Sequence, residues 1–372
     1  MLLPAAILAL ASFQDAPPAS PPAAAPAKND RVVARVPGSF LHVAMDIPGY
    51  TTDQRNATIL RRIYGEKGVF VGAIPSKLTA IELLASKADK EGKTDEAWRN
   101  DNLADSGTHW KEFEAAGFAC GELALMLDGS GSHDFHAFFV RAGYQFDLHV
   151  GEAMTNERKE TITRETFAKM AETLRFAVVR RGTWEQMPEA ALDVMHQAIS
   201  RKDGWKAWLE ERTKEASGDY ATQFAAAELS RHFGAPPAEL MPLYARAIEI
   251  LEKKVAAKEQ LSAKENLALA ASEDGLALAL LDSNEPEKAI PHLDRAVAVA
   301  QDLTAPIRAG VIYNLACAHA RLGHEEIAIA RMIESESQQP GAFVRARADK
   351  DFDPIRKSQK FQDILNGDRV NH

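Results

Sequence analysis

The stretch "YNLACAHARLGHEEIAIARM", Tyr313–Met332, decides how the back half of this chain is read. It brings Cys317, His319 and His324 within eight residues, a density that suits a nucleophile beside its base, or part of a metal site. Helical periodicity argues against both. In one helix Cys317 and His319 point about 200° apart, so they cannot share a proton. Gly323 ends that helix, and His324 opens the next beyond a turn. The expectation is two packed helices, with His319 in their seam and Cys317 a small buried apolar residue.

Working outward, the same pattern recurs at an offset of 39 residues. Leu276-Ala277, Leu280, Ala289, Leu293 and Ala296 match Leu315-Ala316, His319, Ala328, Met332 and Ser335, and Pro340 closes the second unit. The small residues let two antiparallel helices approach closely, while Leu280, Leu293 and Met332 fill the groove between hairpins. A weaker unit precedes them at Leu240, Tyr244 and Ala247, and "DKDFDPIRKSQKFQDIL", Asp349–Leu365, reads as a closing helix. From Trp184 onward helical periodicity continues to the end, so 184–372 is expected to be all helix.

These residues resemble the tetratricopeptide repeat family over roughly 220–365. The resemblance implies stacked helical hairpins whose first helices line a concave groove for a peptide or protein partner. Mapped residue by residue, that groove would present Asp274, Leu278, Asp282, Tyr313, Asn314, Cys317 and Arg321. Asn314 stands where the family often holds a ligand backbone, since its amide both donates and accepts. Gly275 stands where a terminal-carboxylate clamp would need Asn, so capture of a carboxyl terminus is not implied. Trp205 and Trp208, three apart on one face, are expected to fill a junction between domains.

Residues 29–180 carry a mixed pattern. Strands are expected at "SFLHVAMDIPGY", "GVFVGAI" and "LTAIELLA", and three more in "ELALMLDGSGSHDFHAFFVRAGYQFDLHV", with turns at Gly129–Ser132 and Arg141–Gly143. "TRETFAKMAETLRFA" reads as one amphipathic helix. This argues an α+β domain with an antiparallel sheet. Its element order is similar to PsbP-like α/β/α domains, carried by "FLHVAMDIPGY", "GYQFDLHV" and the segment ending "LRFAV". A turn at Arg141–Gly143 would pair His136 with Leu148 and Phe135 with His149, setting the two histidines on opposite faces. A zinc site from His133, His136 and His149 is then excluded, and Asp147 with His149 is the one acid/base pair to consider. "GSGSH" lacks the nucleophile-elbow spacing, and "GEKGVFVGAIPS" lacks the Gly-Lys-Ser/Thr of a phosphate loop.

A formal charge of −9 over 372 residues, with no basic run, argues against nucleic acid as a partner. No apolar stretch is long enough to span a bilayer. "LLPAAILALA" reads as a signal peptide over residues 1–11, and the Pro/Ala-rich residues 12–28 as a semi-rigid linker. Two cysteines, Cys120 and Cys317, assigned to different domains, imply no disulfide framework. The expected protein is periplasmic or secreted and binds neither metal nor cofactor. Its expected role is a non-catalytic scaffold with a partner in the helical groove. Two alternatives stay open: a hydrolase using Asp147 and His149, or a carrier of an apolar small molecule.

Overall fold

Period-two alternation of apolar residues builds the front half, and its strands are long enough to be covered on both faces. The computed structural model describes residues 31–47, 51–52, 68–74, 79–88, 94–104, 110–127, 130–155, 162–201 and 204–366. The signal peptide and the linker fall outside the described residues. The chain divides into two compact units, Met1–Ala177 with Ile199–Asp203, and Val178–Ala198 with Gly204–His372.

In the first unit, seven antiparallel strands run in the order β3 (Thr51–Thr52), β4 (Gly68–Ile74), β5 (Thr79–Lys87), β9 (Tyr144–Thr155), β8 (Ser130–Arg141), β7 (Phe118–Leu127) and β6 (Lys111–Ala115). A smaller sheet holds β1 (Arg31–Arg35), β2 (Leu41–Asp46) and β10 (Arg175–Val178). One face of the large sheet is aromatic over much of its area, with His133, Glu122 and Glu152 at one end. There Phe135 stacks on Phe167 of α2 (Arg164–Glu172), and Phe139 and Phe146 meet Phe176 of β10. The other face lies under α1 (Asp95–Ala104), whose Trp98 meets Phe138 edge-on and donates Nε1–H to the Phe146 carbonyl at 2.9 Å.

Three expectations for this unit are corrected. "TRETFAKMAETLRFA" is not one helix: α2 stops at Glu172, and Arg175–Val178 is strand β10. Thr173 ends the helix, and its hydroxyl accepts from the Asp46 amide at 2.9 Å. Ser130–Ser132 already belong to β8. The turn after β8 is Ala142-Gly143 alone, because Arg141 pairs with Tyr144. Both turn residues have positive φ, 53° and 75°, the mirror-image turn that suits the strand twist. Losing one turn residue shifts the register by one and turns every β9 side chain to the other face. His136 therefore pairs with His149.

The second unit is helical. After a short segment around Arg181 come α3 (Glu189–Ser200), α4 (Trp205–Glu215), α5 (Tyr220–His232), α6 (Pro237–Ala256), α7 (Ala263–Asp282), α8 (Pro286–Val299), α9 (Ala305–Arg321), α10 (Glu325–Gln338), α11 (Ala342–Ala346) and α12 (Gln359–Leu365). From α5 to α10 each helix packs on its chain neighbour. Trp205 packs against Phe233 within this unit, the rings tilted by 40°.

The offset of 39 survives down to single hydrogen bonds. Asn284 has φ 59°, and its N–H and that of Glu285 reach the carbonyls of Leu281 and Leu280. Gly323 has φ 72°, and its N–H and that of His324 reach Ala320 and His319. Both helices thus end in the same Schellman cap. Buried small residues recur too: Ala277 and Ala289, then Ala316 and Ala328. At Gly275 a Cβ would stand 2.4 Å from the Tyr244 ring, so only glycine lets α6 come this close to α7.

Candidate functional site

Helix α7 is apolar on almost every side from Leu267 to Leu281, yet it carries Asp274, 2 % exposed. A buried carboxylate needs a cation or several donors. Asp274 has both. Arg181, from the segment just after β10, donates Nη2–H at 2.6 Å and Nε–H at 3.0 Å to Oδ2. Asn314 of α9 donates Nδ2–H to Oδ1 at 2.5 Å. The Asp274 charge holds the Arg181 guanidinium above its ordinary range. Arg181 lies against α9 at Gly310, where a Cβ would sit 3.4 Å from Nη1. Beside it, Arg180, Arg231 and Leu278 line a small concavity floored by Tyr244, whose hydroxyl donates to buried Glu228 at 2.7 Å. Burial pushes the Glu228 carboxyl up.

Helices α5, α7 and α9 are tied side by side through polar bridges. Arg231 donates to the Gly275 carbonyl at 3.1 Å and reaches Asp282 at 3.4 Å, and Arg321 reaches the Leu281 carbonyl at 2.5 Å. Helices α6 and α8 are tied on their own side by Arg295 and Glu252. The odd helices therefore form one layer, and the expected site residues fall along it.

That layer joins some of them and separates others. Asp274 and Asn314 share one hydrogen bond, and Leu278 lies beside them, half-buried. Asp282 is exposed, next to Arg231. Tyr313 turns away: its hydroxyl donates to Asp349 at 2.9 Å, and its ring packs on Phe352. Arg321 is held by Asp351 at 2.6 Å. Cys317 and His319 have different partners, Asp349 for the thiol and His324 for the imidazole.

Cys317, Asp349 and Asp351 offer ligand atoms within 4.8 Å of one another, the arrangement among the described residues that could hold a cation. Its donors are already committed. Tyr313 bonds Asp349, Asp349 caps the following turn through the Asp351 amide, and Arg321 neutralises Asp351. Burial also pushes the Cys317 thiol up, against the thiolate a metal needs.

In the first unit the face of the sheet under α1 carries a second charged network. His149 is clamped by two carboxylates. Its Nε2 lies 3.0 Å from Asp134, and its Nδ1 is 3.9 Å from Glu82. Burial opposes its charge, but the hydrogen bond to Asp134 and the nearby Glu82 carboxylate outweigh burial and raise its pKa to about 10. Burial also pushes the Asp134 carboxyl up; the His149 bond outweighs this and holds it below the usual range. Ser132 donates to the other Asp134 oxygen at 2.6 Å. His136 stacks on His149 with ring centroids 4.4 Å apart, and its Nδ1 lies 2.8 Å from Asp147.

The expected acid/base pair is thus corrected. Asp147 partners His136, not His149, because the shorter turn sets Asp147 opposite Phe138. His136 and His149 share a face, while His133 lies on the other, bonded to Glu122 at 2.9 Å. Ser132 bonds a carboxylate and not an imidazole, so these groups make no serine–histidine relay.

Sequence reading missed Arg181 and Glu82. A signal for the first was present: an acid inside "LALAASEDGLALALL" must be buried and must find a cation. The chain matches no family model and no curated protein. Among solved structures it is similar to a crystal structure from Bacteroides thetaiotaomicron VPI-5482, at 10 % identity over 55 % of this chain and 77 % of that one. The TM-score of 0.28 carries no argument. No helix among the described residues is long and apolar enough to cross a membrane.

Proposed function

We propose that this is an exported, non-catalytic binding protein. Its helical unit is a tetratricopeptide-like stack that holds a protein or peptide partner on the layer formed by α5, α7 and α9. The periplasmic or secreted location rests on the signal-like N-terminus. One observation carries the binding role: this layer already grips a bent, non-helical piece of chain, residues 180–183, through the Arg181–Asp274–Asn314 hydrogen bonds. A surface that fixes a non-helical segment by a buried carboxylate, with an exposed acid and a half-buried Leu278 beside it, is suited to hold another.

The test is position-specific photocrosslinking in the protein's own cells. A photoreactive residue at Leu278 or Asp282 should capture a partner, and one at exposed Glu326 on α10 should not. Equal capture at all three positions would remove this layer from consideration. Catalysis by the sheet unit is a weaker reading, since Asp134, His149 and Glu82 are each at most 5 % exposed and Asp134 is held by His149 and Ser132.

A further inference from the structure

The grip on Arg181 has the form of a receptor for one guanidinium. Asp274 supplies the anion and takes two N–H bonds on a single oxygen. Asn314 fixes the other oxygen, so the carboxylate cannot rotate away. Gly310 supplies a bare stretch of α9 backbone on which the planar group lies. Arginine suits this geometry better than lysine, because its flat fork loses less freedom for each bond made.

The segment presenting that arginine is not regular secondary structure. Gly182 follows with φ +73°, and a Cβ there would meet Gln186 at 2.7 Å and Leu267 and Ile307 at 3.4 Å. Thr183 is extended and exposed, and Trp184 is a second anchor, 6 % exposed. The occupant therefore reads arginine, glycine, a tolerated position, then a large aromatic. Arg181 itself keeps 27 % of its side chain exposed while Asp274 beneath it keeps 3 %, so the occupant is reachable from solvent and the carboxylate opens when the occupant leaves.

We propose that the strap around Arg181 is a built-in competitor, and that the partner is a non-helical segment presenting an arginine to Asp274 in its place. This rests on the binding role proposed above and names its chemistry. A tethered occupant sits at an effective concentration of about millimolar, so it suppresses a free competitor strongly without binding tightly itself. Removing its anchor should unmask the site by raising the binding-competent fraction.

The experiment measures fluorescence anisotropy of a labelled peptide with the sequence of residues 178–185, Val-Val-Arg-Arg-Gly-Thr-Trp-Glu, against the full chain. Arg181→Ala should bind it at least about tenfold more tightly than the unaltered protein. Arg181→Ala with Asp274→Asn should lose that gain, and so should a peptide whose second arginine is replaced by alanine. Arg181→Lys, which keeps a charge on Asp274 but not the fork, should fall between and is the variant to read if Arg181→Ala does not fold. Equal binding by the unaltered and anchor-free proteins, or indifference to Asp274→Asn, overturns the proposal. Crosslinks at Leu278 without any arginine dependence would overturn it too while leaving the binding role intact.

Discussion

The two units each bury a carboxylate and answer it with a cation, but the cations are held differently. On the sheet, His149 sits in the middle of β9 with Glu82 on β5 to one side and His136 on β8 to the other, fixed by two ladders of backbone hydrogen bonds. In the helical unit, Arg181 reaches Asp274 from a segment outside the helices. A cation inside a ladder cannot leave without breaking the sheet; one lent by a strap can leave and let water in. The first is a structural lock, and the second is the kind of contact that can be exchanged.

The comparison is broken most directly by His149→Leu. It leaves Glu82 and Asp134 buried with no cation between them and should cost about 3–5 kcal/mol in urea unfolding. Arg181→Ala should cost less, about 1–3 kcal/mol, because Asn314 still serves Asp274 and solvent can enter. If the two costs came out equal, the distinction between lock and strap would fail.

Titration sharpens the same contrast. The folded His149 pKa of about 10 lies above the ordinary 6.5. Its contribution is therefore fully present below about pH 6.5 and fades as pH rises through about 10. Between neutral pH and about pH 10 the melting temperature of the unaltered protein should fall further than that of His149→Gln. Parallel curves would show that the imidazole is not held charged.

Two smaller effects test the frames on which these contacts hang. Gly275→Ala drives a methyl into the Tyr244 ring and should cost about 1–3 kcal/mol by calorimetry. Ala142→Asn replaces a strained residue with one that tolerates positive φ and should raise stability by up to about 1 kcal/mol. A loss there would mean that the Ala142-Gly143 turn is not the mirror-image type.

That turn also explains why the sheet was harder to read than the helices. Ala-Gly is not the Asn-Gly or Asp-Gly pair that marks a two-residue hairpin, so Arg141–Gly143 suggests three residues. One residue of error reverses a face, and with it the partners of His136, His149 and Asp147. The neighbouring Ala116-Gly117 turn uses the same pair, with φ 53° and 74°. Helical period and caps tolerate such errors better. A misplaced boundary moves no buried position of α7 or α9, and Ala277, Ala289, Ala316 and Ala328 are all buried as their 39-residue spacing implies.

By itself, then, the sequence determined a region of antiparallel strands followed by a helical region, the recurrence at 39 residues and the helix end at Gly323, because these follow from side chains within a few residues of one another. Only the tertiary structure decided which cation answers which acid. Arg181 and Asp274 are 93 positions apart, and Asp134 and His149 meet through a register set by a two-residue turn. Buried charge fixes that a partner must exist; the path of the chain through space chooses it.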